Sequence, residues 1–116
     1  MNDDYAKRIA ARQMQVLVVD GAVMGCLVLI HNSDVMLLDN IAVAPAAQGM
    51  GYGRLLLNFA EQQTLAAGYG EIRLYTNAAM TQNIALYSRL GYVETHRAVE
   101  HGLHRVFMRK RLMAGE

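Results

Sequence analysis

The chain has one cysteine, one proline and no tryptophan among its 116 residues. With Cys26 alone, an internal disulfide framework is excluded, and the usage fits a reducing cytoplasmic compartment. Charge is scarce as well: 18% of residues are charged and the net charge is +1. That balance leaves no electrostatic footprint for nucleic acid or for a membrane surface. No apolar run approaches the roughly 20 residues that a membrane-spanning helix needs. The N-terminal MNDDYAKR lacks the apolar core of a signal peptide.

What is present is hydrophobic: 53% of the residues, too many for a disordered chain. The length suits one compact domain over residues 1–116 and is too short for two. The eight methionines form no stripe and read as core gap-fillers.

Local patterns give an order of elements. DDYAKRIAARQ (3–13) has helical spacing, with Asn2 or Asp3 as its N-cap. VLVVDGAVMGCLVLI (16–30) is a pair of strand-like runs around Asp20-Gly21, a strong hairpin signal. After the polar turn 31–34, VMLLDNIAV (35–43) predicts a strand buried on both faces, interrupted only by Asp39 and Asn40. Pro45 ends it. From Arg54 a helical pattern runs to Gly68-Tyr69-Gly70, and EIRLYT (71–76) is a half-buried strand. Thr81 is expected to cap a second helix, with Gly91 at its C′ position and Tyr92 closing a Schellman turn. Residues 92–100 and 104–112 form a last antiparallel pair around His101-Gly102. The expectation is an α/β (α+β) domain with a mixed, mostly antiparallel twisted sheet and helices on both faces.

The stretch QGMGYG (48–53) stands between a strand and a helix. Glycines there permit positive φ and close approach, and the first helical amides lack internal partners. No Ser, Thr, Asp or Asn precedes Arg54 to cap them, so the site suits an external anion; tight packing alone would also explain the glycines. Two nucleotide motifs fail. There is no Gly-Lys-Ser/Thr run of a P-loop. The dinucleotide fingerprint needs a glycine where Arg54 stands, and an acid ending the next strand, which Glu71 instead begins.

Gln48-Gly49-Met50-Gly51-Tyr52-Gly53, followed by a strand and by a helix ending Leu86-Tyr87 to Gly91-Tyr92, resembles the GNAT superfamily of acetyl-CoA-dependent N-acetyltransferases. The resemblance covers nearly all of residues 14–112. It implies that the amides of Gln48, Gly49, Met50, Gly51, Tyr52, Gly53 and Arg54 bind the pyrophosphate of coenzyme A. It also implies a bulged strand in which Ile41, Ala42 and Val43 pair with pantetheine, one amide near Ala42 or Val43 polarising the thioester. Tyr87 matches the tyrosine that protonates the departing thiolate, although a packing role beside Ile84 and Leu90 is open to it. Asp39 lies where relatives carry a general base. Many members place an Asn and an Ala ahead of the tyrosine, where this chain has Met80 and Asn83. Asn83 can therefore contact pantetheine or serve its helix N-terminus.

The implied reaction is direct acetyl transfer, in a ternary complex, to a primary amine of a small molecule or peptide. A binding remnant without turnover, or a longer acyl donor, is the alternative. No metal is implied: His101 and His104 flank a turn without further ligands, and Cys26 reads as core. His96 reads as an exposed strand residue or a base on the acceptor side. Arg109-Lys110-Arg111 reads as a solvated strand end that could also meet coenzyme phosphates. Relative to the family, the first strand and first helix are absent ahead of the hairpin. The expected consequence is an open strand edge at 16–19 covered by a second copy in a homodimer.

Overall fold

A computed structural model describes residues 12–112. The elements are β1 (Arg12–Val19), β2 (Ala22–Asn32), β3 (Val35–Val43), a 3-10 turn (Pro45–Ala47), α1 (Tyr52–Ala66), β4 (Glu71–Asn77), α2 (Thr81–Arg89), β5 (Val93–Glu100) and β6 (Leu103–Arg111). The helix expected over 3–13 lies outside the described residues except at Arg12 and Gln13, which are strand.

Two-residue turns set the hairpins. Asp20 and Gly21 take φ of 52° and 80°, and His101 and Gly102 take 53° and 78°. Positive φ at both central positions is the twist that matches antiparallel strands. His31 and Asn32 belong to β2, so the predicted four-residue turn shrinks to Ser33-Asp34. The six strands lie in the order β1-β2-β3-β4-β6-β5. Every neighbouring pair is antiparallel except β3 and β4, which the helix crossover makes parallel.

The core lies on one side of this sheet. Leu27, Leu29, Met36, Leu38, Ile72, Leu74, Val106 and Met108 meet Leu56, Leu57 and Ala60 of α1 and Tyr87 of α2. Full burial of each large apolar side chain is worth about 1.5–3 kcal/mol. Because Ile72 and Leu74 alternate to the same face, both described helices pack on that face. Helices on both faces are thus not found among the described residues. No helix among them is long and apolar enough to cross a membrane. β3 is buried at Val35, Met36 and Leu38 but half-open or exposed from Asp39 onward, so the double burial read from its composition holds only for its first half.

Helix ends follow local chemistry. Gly91 (φ 100°) is the C′ residue of α2, and the Tyr92 and Gly91 amides donate to the carbonyls of Tyr87 and Ser88 at 2.9 and 3.1 Å. That is the predicted Schellman turn. Gly68 ends α1 the same way, with Tyr69 donating to the Thr64 carbonyl at 3.0 Å. Thr81 does not cap α2: it is the first helical residue, and Met80 holds the N-cap position without a side-chain bond.

β2 can lie close under α1 because position 25 is glycine. A Cβ there would stand 2.7 Å from the Ala42 carbonyl oxygen and 3.0 Å from Leu56 Cδ1. Gly25→Ala should therefore cost about 1–3 kcal/mol in urea denaturation. Gly70→Ala, where a Cβ meets open space, should stay within about 0.5 kcal/mol. Equal stability of the two variants would refute this account of the packing.

Candidate active site

The site begins with a register fault in β3. Val28 pairs with Asn40, yet the next residue, Leu29, pairs with Leu38. Asp39 is the extra residue of a bulge, and a bulge bends its strand. On its other side β3 pairs with β4 through Met36, Leu37 and Leu38 only, although both strands continue well beyond. The sheet is open from there on. A cleft of about 540 Å³ fills the opening, lined by Asp39, Asn40 and Ile41 from β3, Tyr75, Thr76 and Asn77 from β4, and Met80, Asn83 and Tyr87 beyond them. Its lining comes from both faces of the sheet, so the opening passes through the sheet.

A second cleft of about 390 Å³ continues it on the helix side. Ile41, Met80, Asn83 and Tyr87 line both; Val43, Gln48, Gly53, Gln82 and Leu86 line the second. The Ala42 carbonyl faces β2, and Ala44 donates its amide to Met24 there at 2.8 Å. Strand alternation then turns the main-chain groups of Ile41 and Val43 toward the opening. The Val43 carbonyl accepts from Gln48 Nε2 at 3.3 Å.

After the turn at Pro45–Ala47, Gly49 and Gly51 adopt φ of 85° and 83°, and α1 starts at Tyr52 rather than at Arg54. Gly53 is helical and has a different use: a Cβ on it would lie 3.8 Å from Leu86, and anything longer would enter the cleft. Gly51 is an N-cap with no side-chain bond, and no acid occupies the first turn. Leu55 is the first helical amide to find a carbonyl, that of Gly51 at 3.1 Å. The amides from Gly49 to Arg54 have no backbone acceptor among the described residues. α2 is also uncapped, its first internal bond running from Ile84 to Met80 at 3.1 Å. Two positive helix ends thus border one cleft, a field that favours an anion. Met50 and Arg54 are exposed beside it, and Tyr52 is half-buried.

Tyr87 is 5% exposed, and its ring meets Tyr92 edge-on at 6.0 Å. Among the described residues, no buried side-chain polar atom lacks a partner. Its hydroxyl makes no hydrogen bond among the described residues, so it opens to the clefts that the residue lines. Burial pushes its pKa up from the ordinary 10.0, keeping it a neutral donor. Asp39 is half-buried across the same cleft and is itself engaged in an interaction.

A network that the sequence did not announce holds Tyr87 in place. Glu61 of α1 accepts from Tyr92 Oη and from Lys110 Nζ, both at 3.0 Å. The Lys110 ammonium also lies 5.7 Å from the Tyr92 ring centre. Burial and the Glu61 charge push the Tyr92 pKa well above the tyrosine range. The available signal was Glu61 one position from Ala60 on the stripe Leu57–Ala60–Thr64, a carboxylate beside a buried face.

Other candidates lie elsewhere. Arg109, Lys110 and Arg111 pair with the start of β4, at the opposite end of the sheet from the glycine loop, and so cannot meet phosphates there. His96 stacks on Phe107 at 4.3 Å, on the face away from the helices. Cys26 is half-buried in β2. The described residues contain no group of three or more potential metal ligands.

A model of the acetyltransferase (GNAT) family matches residues 2–92. The chain belongs to this family. It is 39% identical over 59 residues to a mycothiol acetyltransferase of Jonesia denitrificans, covering 51% of this chain and 19% of that protein. A Nocardia farcinica mycothiol acetyltransferase is 38% identical over 56 residues, so the chain spans about a fifth of the length of the curated relatives it matches (19% and 18%). The Escherichia coli ribosomal-protein-S18-alanine N-acetyltransferase superposes with a TM-score of 0.84 at 25% identity, over 100% of this chain and 80% of that one. An Elizabethkingia anophelis GNAT acetyltransferase with acetyl-CoA bound superposes at 0.81 with 19% identity, over 97% and 84%. The GNAT sheet, mostly antiparallel with one parallel junction, is the one described above.

The buried tyrosines give a pH dependence. A tyrosine whose folded pKa is raised contributes stability that is complete below the unfolded value of 10.0 and lost as pH rises above it. Denaturation midpoints should accordingly fall as pH rises above about 10, and Tyr92→Phe should flatten that fall while costing about 1–2 kcal/mol at neutral pH. A midpoint that is level across this range, or an unchanged slope in the variant, would remove the assignment.

Proposed function

We propose that the chain transfers acetyl from acetyl-CoA to a primary amine of a small molecule or peptide, by direct attack in a ternary complex. One observation carries it: β3 and β4 stop pairing after Leu38 and Leu74, beside an unpaired run of loop amides. The residues fit this donor. Left-handed Gly49 and Gly51, with nothing within 4 Å of an added Cβ, leave open space for a diphosphate against the amides of residues 49–54, while the Gln48 amide donates to the Pro45 carbonyl at 3.4 Å. The separated edge of β3 offers Ile41 and Val43 to an extended pantetheine arm, much as an added strand would pair. Ala42 supports that edge from the β2 side, and Asn83 flanks the path.

Within this arrangement the Val43 amide, on the same side as its Gln48-bound carbonyl, polarises the thioester and stabilises the oxyanion formed on attack. Asp39 takes the proton from the amine, which must be neutral to attack. Tyr87 hands its proton to the departing thiolate, a step for which a neutral phenol is suited. The opening runs through the sheet, so donor and acceptor can approach from opposite faces. The exposed edge strand β1, with Met14 68%, Val16 55% and Val18 52% exposed, is taken to pair with a second copy. Light scattering that gave a monomer at micromolar concentration would remove the dimer alone.

Calorimetry should show acetyl-CoA binding to the folded chain. Tyr87→Phe should keep that binding while lowering thiol release by about 10²–10⁴-fold on an accepted amine. Absence of binding at high micromolar donor would sink the proposal. Binding without thiol release across a broad amine panel would favour a non-catalytic acyl-CoA-binding role.

A further inference from the structure

The sheet face turned away from both helices is neither uniformly apolar nor uniformly charged. Strand alternation places Glu71, Arg73, Tyr75 and Asn77 of β4 on it, opposite Arg111, Arg109, Phe107 and Arg105 of β6. Tyr75 lines the through-sheet cleft. Its ring centre is 5.7 Å from that of Phe107, and Phe107 stacks on His96. Arg105 covers the Tyr75 ring at 4.6 Å and is tied to Glu100 at 2.9 Å. An aromatic path therefore leaves the cleft along this face.

The path ends in a separate hollow of about 340 Å³, lined among others by Leu37, Phe107, Asn32, His96, Arg73 and Arg109. Arg73 and Arg109 are direct cross-strand partners there. Like charges so placed repel. The nearby carboxylate does not balance them: Glu71 bonds Arg73 Nε and also lies 3.9 Å from Arg111 Nε. Arg109 has no carboxylate partner among the described residues. A hollow lined by two cross-strand arginines, Arg73 bonded to Glu71 and Arg109 without a carboxylate partner among the described residues, is complementary to a carboxylate, which the arginine fork binds through paired N–H donors.

We infer that this hollow receives a carboxylate of the acetyl acceptor, whose amine enters the cleft toward Asp39 and whose body lies along Tyr75 and Phe107. The acceptor is then an amine bearing an acidic group some way along its length, a small amino acid or an acidic peptide. This rests on the acetyl-transfer reading, so the experiment has to separate the two.

Rates of thiol release from acetyl-CoA should be compared for 6-aminohexanoate against 6-aminohexanamide, and for the peptide amides Gly-Ala-Asp against Gly-Ala-Asn. The protein should favour the acid of at least one pair by about tenfold in kcat/KM, chiefly through KM. The favoured pair distinguishes the small molecule from the peptide. Arg109→Gln should bring the ratio toward one, whereas Arg97→Gln, on β5 and bonded to Glu94, should preserve it. A ratio of one in the unmodified protein, or a ratio indifferent to Arg109→Gln, overturns the inference while leaving acetyl transfer standing. If no amine is acetylated, transfer fails, and the hollow is tested directly by NMR. Hexanoate at about 10 mM, a concentration that registers millimolar affinity, should shift the Arg73 and Arg109 Nε–H signals, and hexanamide should not. Identical responses to the two compounds, or none, overturn the anion site.

Discussion

Everything in this molecule that can do chemistry depends on two parallel strands parting. β3 and β4 share three paired residues and then separate at the bulge on Asp39. A sheet with that pairing completed would bury its own main chain and offer no edge to a ligand. Opening it leaves strong hydrogen-bonding groups without partners, which is costly unless something else takes them. The bulge makes the separation possible because one surplus residue turns β3 away while its pairing with β2 continues.

The surroundings keep the opening from closing. The glycine loop and α1 are placed over it by the crossover that parallel strands require, and α2 closes the other side with Tyr87. The Schellman turn holds the Tyr87 carbonyl, and Tyr92 connects that turn to Glu61 and through it to Lys110. Thus α1, α2 and β6 are tied by one carboxylate beneath the tyrosine that faces the cleft. A hydrogen-bonded charge in a partly dry setting is well suited to such a tie, since its loss would leave the remaining groups unsatisfied.

The two sheet faces divide the work. The helix face supplies the apolar core and two uncapped helix N-termini, whose field favours an anion. The opposite face supplies the half-buried rings of Tyr75 and Phe107 and a set of arginines. Since the cleft draws residues from both, the GNAT scaffold here presents two chemically distinct approaches to one opening, with Asp39 and Tyr87 across it.

Much of this was legible locally. Asp20-Gly21 and His101-Gly102 specify tight turns, Gly91-Tyr92 specifies a helix end, and Gly49 and Gly51 are needed where φ is positive; each is a property of a few consecutive residues. The paired motifs marked the family and, through the resemblance, a bulged strand; the structure puts its surplus residue at Asp39. Thr81 misled, since capping depends on where the chain enters the helix; the charged run 109–111 is the strand end it was read as, and strand order, which decides the sheet end it occupies, keeps it from the glycine loop. The parting of β3 from β4, the Glu61–Tyr92–Lys110 tie and the Arg73–Arg109 pair had no local signature. They join residues far apart in the chain, and only the register of strands brought together by the whole core decides which of them meet.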